Sequence, residues 1–317
     1  MSHLLFSFQV VCPLFIYMGL GALLKKSGWF PAQLGDLLTH LVYRIFLPLY
    51  LFLSIGTHPL PGGAEGGGGM AFLALFAVCA VLLTFFLFWA LYDHRTMDRR
   101  QKGVMIQSSY RTNFALFGVA LSQLILKTDQ GSLTALLLPF VIPLFNVLSV
   151  FILAYYSASV FEPKAVVQKL AHNPLILGIV AGLLIHLLPG PLPSFLLLPL
   201  DRLGQAATPL ALLALGYNFT FQSLRHYRAL LVESLLIRLL FVPAFFLGLA
   251  LLLGFRGESL VALLTLFASP VAVSSYAMAE GLGQDGTLAG QILAASSAFC
   301  GFSLFLFLSL LRLGGFL

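Results

Sequence analysis

The sequence predicts an all-α polytopic membrane protein, about ten transmembrane helices arranged as two inverted five-helix repeats. Three observations predict it. Of 317 residues, 60% are hydrophobic and only 9% are Asp, Glu, Lys or Arg, against roughly 25% charged in an ordinary soluble domain. The apolar residues fall into ten runs, most near the ~20 residues an α-helix needs to span the hydrocarbon core. The two halves of the chain resemble each other at a constant offset of 161 residues.

The runs cover 4–24, 37–55, 70–92, 104–126, 135–157, 174–188, 195–222, 229–253, 260–279 and 287–311. The first reads as a span and not as a signal peptide. It has no basic n-region and ends at Lys25-Lys26 instead of a small-residue cleavage site. The loop Gly56–Gly69, with the run Gly66-Gly67-Gly68-Gly69 and Glu65 as its one charge, reads as a flexible linker. The sixth run is short, and the seventh carries Asp201, Arg202 and Gln205 near its start. Alternate loops hold Lys25/Lys26, Arg95/Arg99/Arg100/Lys102, Lys164/Lys169 and Arg225/Arg228, so that side is cytoplasmic. Ten spans in a cell (inner) membrane then leave both termini extracytoplasmic. The ninth-to-tenth connection fits least well, since it should be internal and holds only Glu280 and Asp285. The net charge of +6 is spread over these short loops, so it records topology and not a nucleic-acid partner. Cys12, Cys79 and Cys300 lie within apolar runs with no CxxC or Cys/His pattern, so no metal or other cofactor is expected.

At the 161-residue offset, Pro13-Leu14 falls on Pro174-Leu175, Gly21 on Gly182, and Pro48-Leu49 on Pro209-Leu210. Five spans are an odd number, so the second copy enters the membrane inverted, a common architecture among carriers. The repeats are 1–157 and 172–317.

The same offset sets Ser109–Asn113 against Pro270–Ser274 in the fourth span of each half. The fourth span contains Gln107-Ser108-Ser109-Tyr110-Arg111-Thr112-Asn113, with Asn113 close to the bilayer midplane. A charge at that depth costs about 3 kcal/mol or more, so such residues face protein or a water-filled path. Arg111 thus either lines a solute path or binds backbone carbonyls as packing glue. The ninth span contains Phe267-Ala268-Ser269-Pro270-Val271-Ala272-Val273-Ser274-Ser275. Its central proline removes a donor and clashes with the preceding turn, so the helix kinks or unwinds there. Two interrupted helices meeting at the midplane would aim half-helix N-termini at an anion, the sign Arg111 also favours.

These residues resemble the auxin efflux carrier family. Arg111-Thr112-Asn113-Phe114-Ala115-Leu116-Phe117-Gly118 and Ala268-Ser269-Pro270-Val271-Ala272-Val273-Ser274-Ser275 are similar to its signatures. Asn173-Pro174-Leu175 and Ala207-Thr208-Pro209-Leu210-Ala211-Leu212 add to the likeness, which covers nearly the whole chain and points to a bacterial member. The resemblance implies a scaffold domain, 4–55 plus 174–222, often dimeric, and a transport domain, 70–157 plus 229–311. The fourth and ninth helices would cross at the substrate site. Family members export or exchange small organic anions, including auxin and, in bacteria, malonate or other carboxylates. Matching positions make Asn113 and Pro270 the foremost substrate-binding candidates, followed by Arg111, Ser109, Thr112, Ser269 and Ser274. Plant relatives carry a proline in both crossing helices, whereas 104–126 contain none, which leaves a continuous fourth helix open.

Other intramembrane polar residues rank lower. Arg44 and Arg238 could pair with carboxylates or line a vestibule; Glu233, five residues before Arg238, is slightly too far for a same-face pair and reads as part of a structural ion pair near a helix end. His186 reads as interfacial; Asn146 and Gln291 fit either interhelical bonds or the cavity. Gly178, Gly182, Gly248 and Gly254 read as close-packing positions. The expected partners are a small organic anion, the bilayer and a second copy through the scaffold. A sodium-coupled organic-anion symporter of the bile-acid type is the alternative, and an ion channel a more distant one. The absence of any carboxylate in 105–113 and 267–275 argues against sodium. No HExxH, paired membrane aspartates or GxxxxGK[ST] loop points to an enzyme or an ATP-driven pump.

Overall fold

The computed structural model describes residues 2–56, 67–114, 118, 121–122, 125–126, 133–157, 172–185, 193–219 and 221–317. Their secondary structure is helical apart from turns and one isolated β-bridge. Helix is what a chain this apolar must form in lipid, because each segment then pairs its own backbone groups.

Helix α1 is Ser2–Ser27, followed by Gly28 at φ +68°, the left-handed conformation that ends many helices. Helix α2, Leu34–Leu41, runs through a π turn at Val42–Phe46 into α3, Leu47–Gly56. Helix α4 is Gly67–Asp93. Asp98 caps α5, Arg99–Tyr110, by accepting from the Arg100 amide at 2.9 Å. Helix α6 is Leu133–Ser157. Asn173 opens α7, Pro174–Ile185, by accepting from the Leu175 amide at 2.9 Å, with proline in the first helical position. Helices α8, Ser194–Gln205, and α9, Ala207–Asn218, are separated by a break at Ala206. After the short α10, Phe221–His226, helix α11, Arg228–Leu236, passes through a second π turn at Ile237–Phe241 into α12, Val242–Leu252. Helices α13, Gly257–Phe267, and α14, Val273–Gly281, flank the Pro270 segment. Asp285 caps α15, Gly286–Leu313.

Among the described residues, five stretches are long and apolar enough to cross a bilayer: Leu34–Leu53, Gly69–Asp93, Leu136–Ser157, Arg228–Leu252 and Gly286–Leu313. At 1.5 Å per residue, even the 20-residue stretch covers about 30 Å, the thickness of the hydrocarbon core. Their outer faces carry exposed large apolar side chains such as Leu75, Phe86 and Phe302, as lipid contact requires. The chain is a multi-pass membrane protein. Of the other expected spans, the first is the unbroken α1, α7 has 12 residues, and breaks interrupt the fourth, seventh and ninth. His186 and the Lys164/Lys169 loop lie outside the described residues.

Helices α1–α3 and α7–α9 pack chiefly on one another, as do α4–α6 and α11–α15. The tightest seam joins α1 to α9. A Cβ on Gly216 would lie 1.9 Å from the Met18 carbonyl oxygen, and one on Gly21 would lie 2.1 Å from that of Leu213. Gly178 meets the Pro48 backbone in the same way. The reading of Gly248 and Gly254 as close-packing residues is corrected: neither has anything within 4 Å of the Cβ position. Gly254 instead turns the chain after α12 at φ +87°.

Among the described residues, the basic loops gather at one end of the bundle. Arg100 Nε donates to the Gly283 carbonyl at 2.9 Å, and the Asp285 amide donates to the Arg100 carbonyl. Tyr227 Oη donates to Asp285 Oδ2 at 2.9 Å, and Lys25, Asp36 and Glu280 border one polar cavity. The ninth-to-tenth connection thus lies beside the basic loop 95–102 despite its acidic residues. Leu133, Glu258, Gly257 and Phe316 join one another elsewhere in the bundle, through the Leu133 amide on Glu258 Oε1 and the Gly257 amide on the Phe316 carbonyl.

Replacing Gly216 by Val is expected to lower stability by about 1–3 kcal/mol, because the two backbones must separate. Gly248→Ala, in open space within a helix, is expected to gain about 0.5–1 kcal/mol. Thermal unfolding of the two purified variants in detergent checks both signs.

Candidate functional site

Helix α5 ends without a proline. Ser108 and Ser109 turn their hydroxyls back onto the carbonyls of Met105 and Ile106, at 2.9 and 2.7 Å, a bonding pattern that competes with the helical ladder. The Arg111 amide makes the last helical bond, to the Gln107 carbonyl at 3.0 Å, and Arg111 then turns extended at ψ 120°. Helix resumes at Phe114. Across from this break, α13 ends at Phe267, Ser269 Oγ donates back to the Thr265 carbonyl, and Pro270 has no amide proton.

The two breaks satisfy each other. Thr112 and Val271 form an antiparallel bridge. The Asn113 amide donates to the Pro270 carbonyl at 2.8 Å, and the Val271 amide reaches Ser296 Oγ at 3.2 Å. Non-helical backbone at membrane depth is tolerable only when it is paired in this way. The fourth helix is therefore interrupted even though it lacks the proline of its counterpart.

Arg111 is buried, with 4% of its surface exposed. Nη1 donates to the Phe145 carbonyl at 3.1 Å and to Ser149 Oγ at 2.9 Å; Nη2 donates to Asn146 Oδ1 at 2.8 Å and Ser274 Oγ at 2.6 Å. All four acceptors are neutral. Among the described residues the only ion pair is Arg95–Glu233, so no carboxylate offsets this charge. Three polar atoms here have no hydrogen-bond partner among the described residues: Arg111 Nε, Thr112 Oγ1 and Asn113 Nδ2. A lone buried charge beside unpaired donors is costly, and its natural complement is an anion with acceptor oxygens.

These residues border a cavity of about 50 Å³, closed on one side by Leu47, Tyr50, Leu51 and Thr208 and on the other by Arg111–Asn113, Phe145, Asn146 and Ala272–Ser274. Eight of its lining residues pair at the 161-residue offset: Leu47 with Thr208, Arg111 with Ala272, Thr112 with Val273, and Asn113 with Ser274. In the three pairs at the two breaks, the larger polar side chain belongs to the first half, so the chemistry of the cavity is lopsided.

Of the residues singled out in the sequence, Asn113, Arg111, Thr112 and Ser274 line the cavity. Pro270 contributes its carbonyl to Asn113. Ser109 and Ser269 point their hydroxyls into their own helices, and their carbonyls receive Arg238. Asn146 does both of the things left open for it, bordering the cavity and accepting the bond from Arg111 of the fourth span. Ser149, Tyr50 and Thr208 carry no sequence signal of their own beyond Thr208 preceding the repeat-matched Pro209.

Of the remaining charges, Glu233 forms the ion pair near a helix end that the sequence suggested, and Arg238 takes neither of the roles offered for it. Arg238 binds carbonyls and no carboxylate. Glu233 pairs with Arg95 and accepts from Tyr92 Oη at 2.9 Å, because five residues along a helix put Arg238 on another face. Arg44 is exposed on its π turn.

A family model described as "membrane transport protein" matches the chain twice, over residues 6–165 and 160–308. The chain belongs to this auxin efflux carrier-like family of membrane transport proteins. No curated protein matches it. Membership in the membrane transport family implies a transporter, and the double match follows the two halves that flank the crossing.

For this transporter the Arg111 charge opposes folding while its hydrogen bonds favour it. Arg111→Gln, which keeps an amide for Asn146 and Ser274, is expected to stay within about 1 kcal/mol of the parent. Thermal unfolding measures this. A loss of about 3 kcal/mol or more would make Arg111 a structural cation.

Proposed function

We propose that the chain is a secondary carrier of small organic anions, carboxylates such as malonate or auxin-like acids, bound where the fourth and ninth helices cross. One observation carries this reading: Arg111 is a buried cation without a carboxylate partner among the described residues, and three cavity-lining residues each keep a buried polar atom without a partner there, Arg111 Nε, Thr112 Oγ1 and Asn113 Nδ2. A carboxylate has two acceptor oxygens and the missing charge. The helix starting at Val273 adds the positive end of its dipole.

The carrier works by alternating access. The cavity of about 50 Å³ has room for roughly four waters, so an anion larger than acetate needs the wall of Leu47, Tyr50 and Thr208 to draw back. That wall belongs to the scaffold, 4–55 plus 174–222, and the polar wall belongs to the transport domain, 70–157 plus 229–311. Elevator-like or rocking displacement of one against the other opens the site to each side in turn. Ten spans in two inverted repeats, with both termini extracytoplasmic in a cell (inner) membrane and a homodimer through the scaffold, complete the proposed architecture. The offset pairs around the cavity and the twofold family match support the repeat.

Solid-supported-membrane electrophysiology on proteoliposomes tests the reading with jumps of acetate, malonate, indole-acetate and a bile acid, each with and without sodium. A saturable carboxylate current, independent of sodium and reduced at least tenfold in Asn113→Ala, is the expected result. A current that requires sodium would favour the symporter alternative, and a non-saturating one a channel. Normal transport by Asn113→Ala would displace the site from the crossing.

A further inference from the structure

Arg238 heads the largest fully buried side chains, with 1% of its surface exposed. Nη1 donates to the Ser109 carbonyl at 2.9 Å; Nη2 donates to the Phe267 carbonyl at 2.5 Å and approaches that of Leu266 at 3.4 Å; Nε reaches that of Ser269 at 3.3 Å. Every one of these acceptors is a main-chain oxygen. Ser109 lies at the C-terminal end of α5, and Leu266 and Phe267 lie at that of α13. Each such end carries carbonyls with no partner in its own helix and a partial charge of about −0.5. Two like ends brought together repel, and something positive must stand between them.

Four carbonyl oxygens converging on one point form the ligand set that a hard metal cation takes. Here a guanidinium takes it. The π turn Ile237–Phe241 carries Arg238 to that point, and two contacts fix the turn. Ser303 Oγ donates to the Leu239 carbonyl at 2.5 Å, and Ser234 Oγ lies 3.1 Å from Ser108 Oγ, tying α11 to α5 one turn earlier. The opposite ends of the crossing, at Phe114 and Val273, begin helices beside the Arg111 cavity.

We propose that Arg238 is a tethered cation, a positioning residue that takes the place of a dissolved metal ion at the crossing. It holds the C-terminal ends of α5 and α13 together, and this keeps Arg111 and Asn113 in register for the anion. The carrier then needs no inorganic cation to assemble its site. This rests on the anion-carrier reading above, and it adds a cation requirement that moves from solution into the chain.

The test uses the purified full chain and its Arg238→Ala and Arg238→Lys variants in detergent, in choline, sodium, potassium and dilute guanidinium salts. Two quantities are read in each salt: the melting temperature without anion, and the affinity for acetate and malonate by calorimetry. The parent is expected to behave alike in choline and sodium. Arg238→Ala is expected to melt lower in choline, to bind the anions at least tenfold more weakly, and to regain both properties in guanidinium, whose planar donors fit the carbonyls. Arg238→Lys, with three donors on one nitrogen, is expected between the two in affinity.

A parent that binds the anions only in sodium would overturn the proposal. So would Arg238→Ala binding like the parent in choline, or losing affinity that no added cation restores. Should the alanine variant not fold, lysine decides: affinity equal to the parent's overturns the proposal, and weaker binding at an unchanged melting temperature supports it. The melting-temperature arm requires no anion. A parent that binds neither probe, with a guanidinium-specific rescue of Arg238→Ala, would sink the carboxylate reading and leave the tethered cation standing.

Discussion

Backbone groups released from a helix inside a membrane have no water to turn to, and each unmatched one costs several kcal/mol. Around the crossing this requirement is met between chain segments that are distant in sequence. The Asn113 amide takes the Pro270 carbonyl, the Val271 amide takes Ser296, and four carbonyls near the helix ends converge on one guanidinium. Once those bonds are made, the rest follows. Arg111 leaves the helical path at the one place where Ser149, Asn146 and Ser274 are within reach, and the cavity forms beside it.

Two arginines at this depth do opposite work. Arg238 is satisfied by the chain and fastens the negative helix ends. Arg111 is held by neutral groups and keeps Nε unpaired among the described residues. The difference is one of acceptor type and count, and a hydropathy profile registers both simply as a charge in an apolar run. Buried charge that the protein compensates belongs to its architecture; buried charge left for another molecule belongs to its chemistry.

Much of this was legible in the sequence, and the rest failed for definite reasons. Composition and run length gave the membrane class, and the paired prolines Pro48 and Pro209 marked segments that reach the cavity through Leu47 and Thr208. Arg111, Asn113 and Ser274 were visible as polar residues at matching depth. The break in the fourth helix was suggested by its polar run and repeat position but not settled, because no local proline marks it and its pairing partner, Pro270–Val271, is distant in sequence. Ser109 and Ser269 looked equivalent to Ser274, yet a serine hydroxyl can always close on its own helix, and only packing decides whether it does. Arg238 looked like a partner for a carboxylate or a vestibule residue, because sequence shows side chains and hides carbonyls. The ninth-to-tenth connection looked too acidic for its side, whereas Asp285 serves there as a helix cap and a partner for Tyr227.

The seam between α1 and α9 bears on motion. Where Gly216 lies against the Met18 carbonyl and Gly21 against that of Leu213, two backbones touch with no layer of side chains between them. Switching between conformations needs surfaces that can repack in a second arrangement, and side chains supply those alternatives by changing rotamer. Bare backbone has one fit, so sliding by a turn would set other residues' Cβ atoms against the carbonyls the glycines now clear. In the carrier proposed above, such a contact would act as a fixed bearing, a reference against which displacement becomes directional.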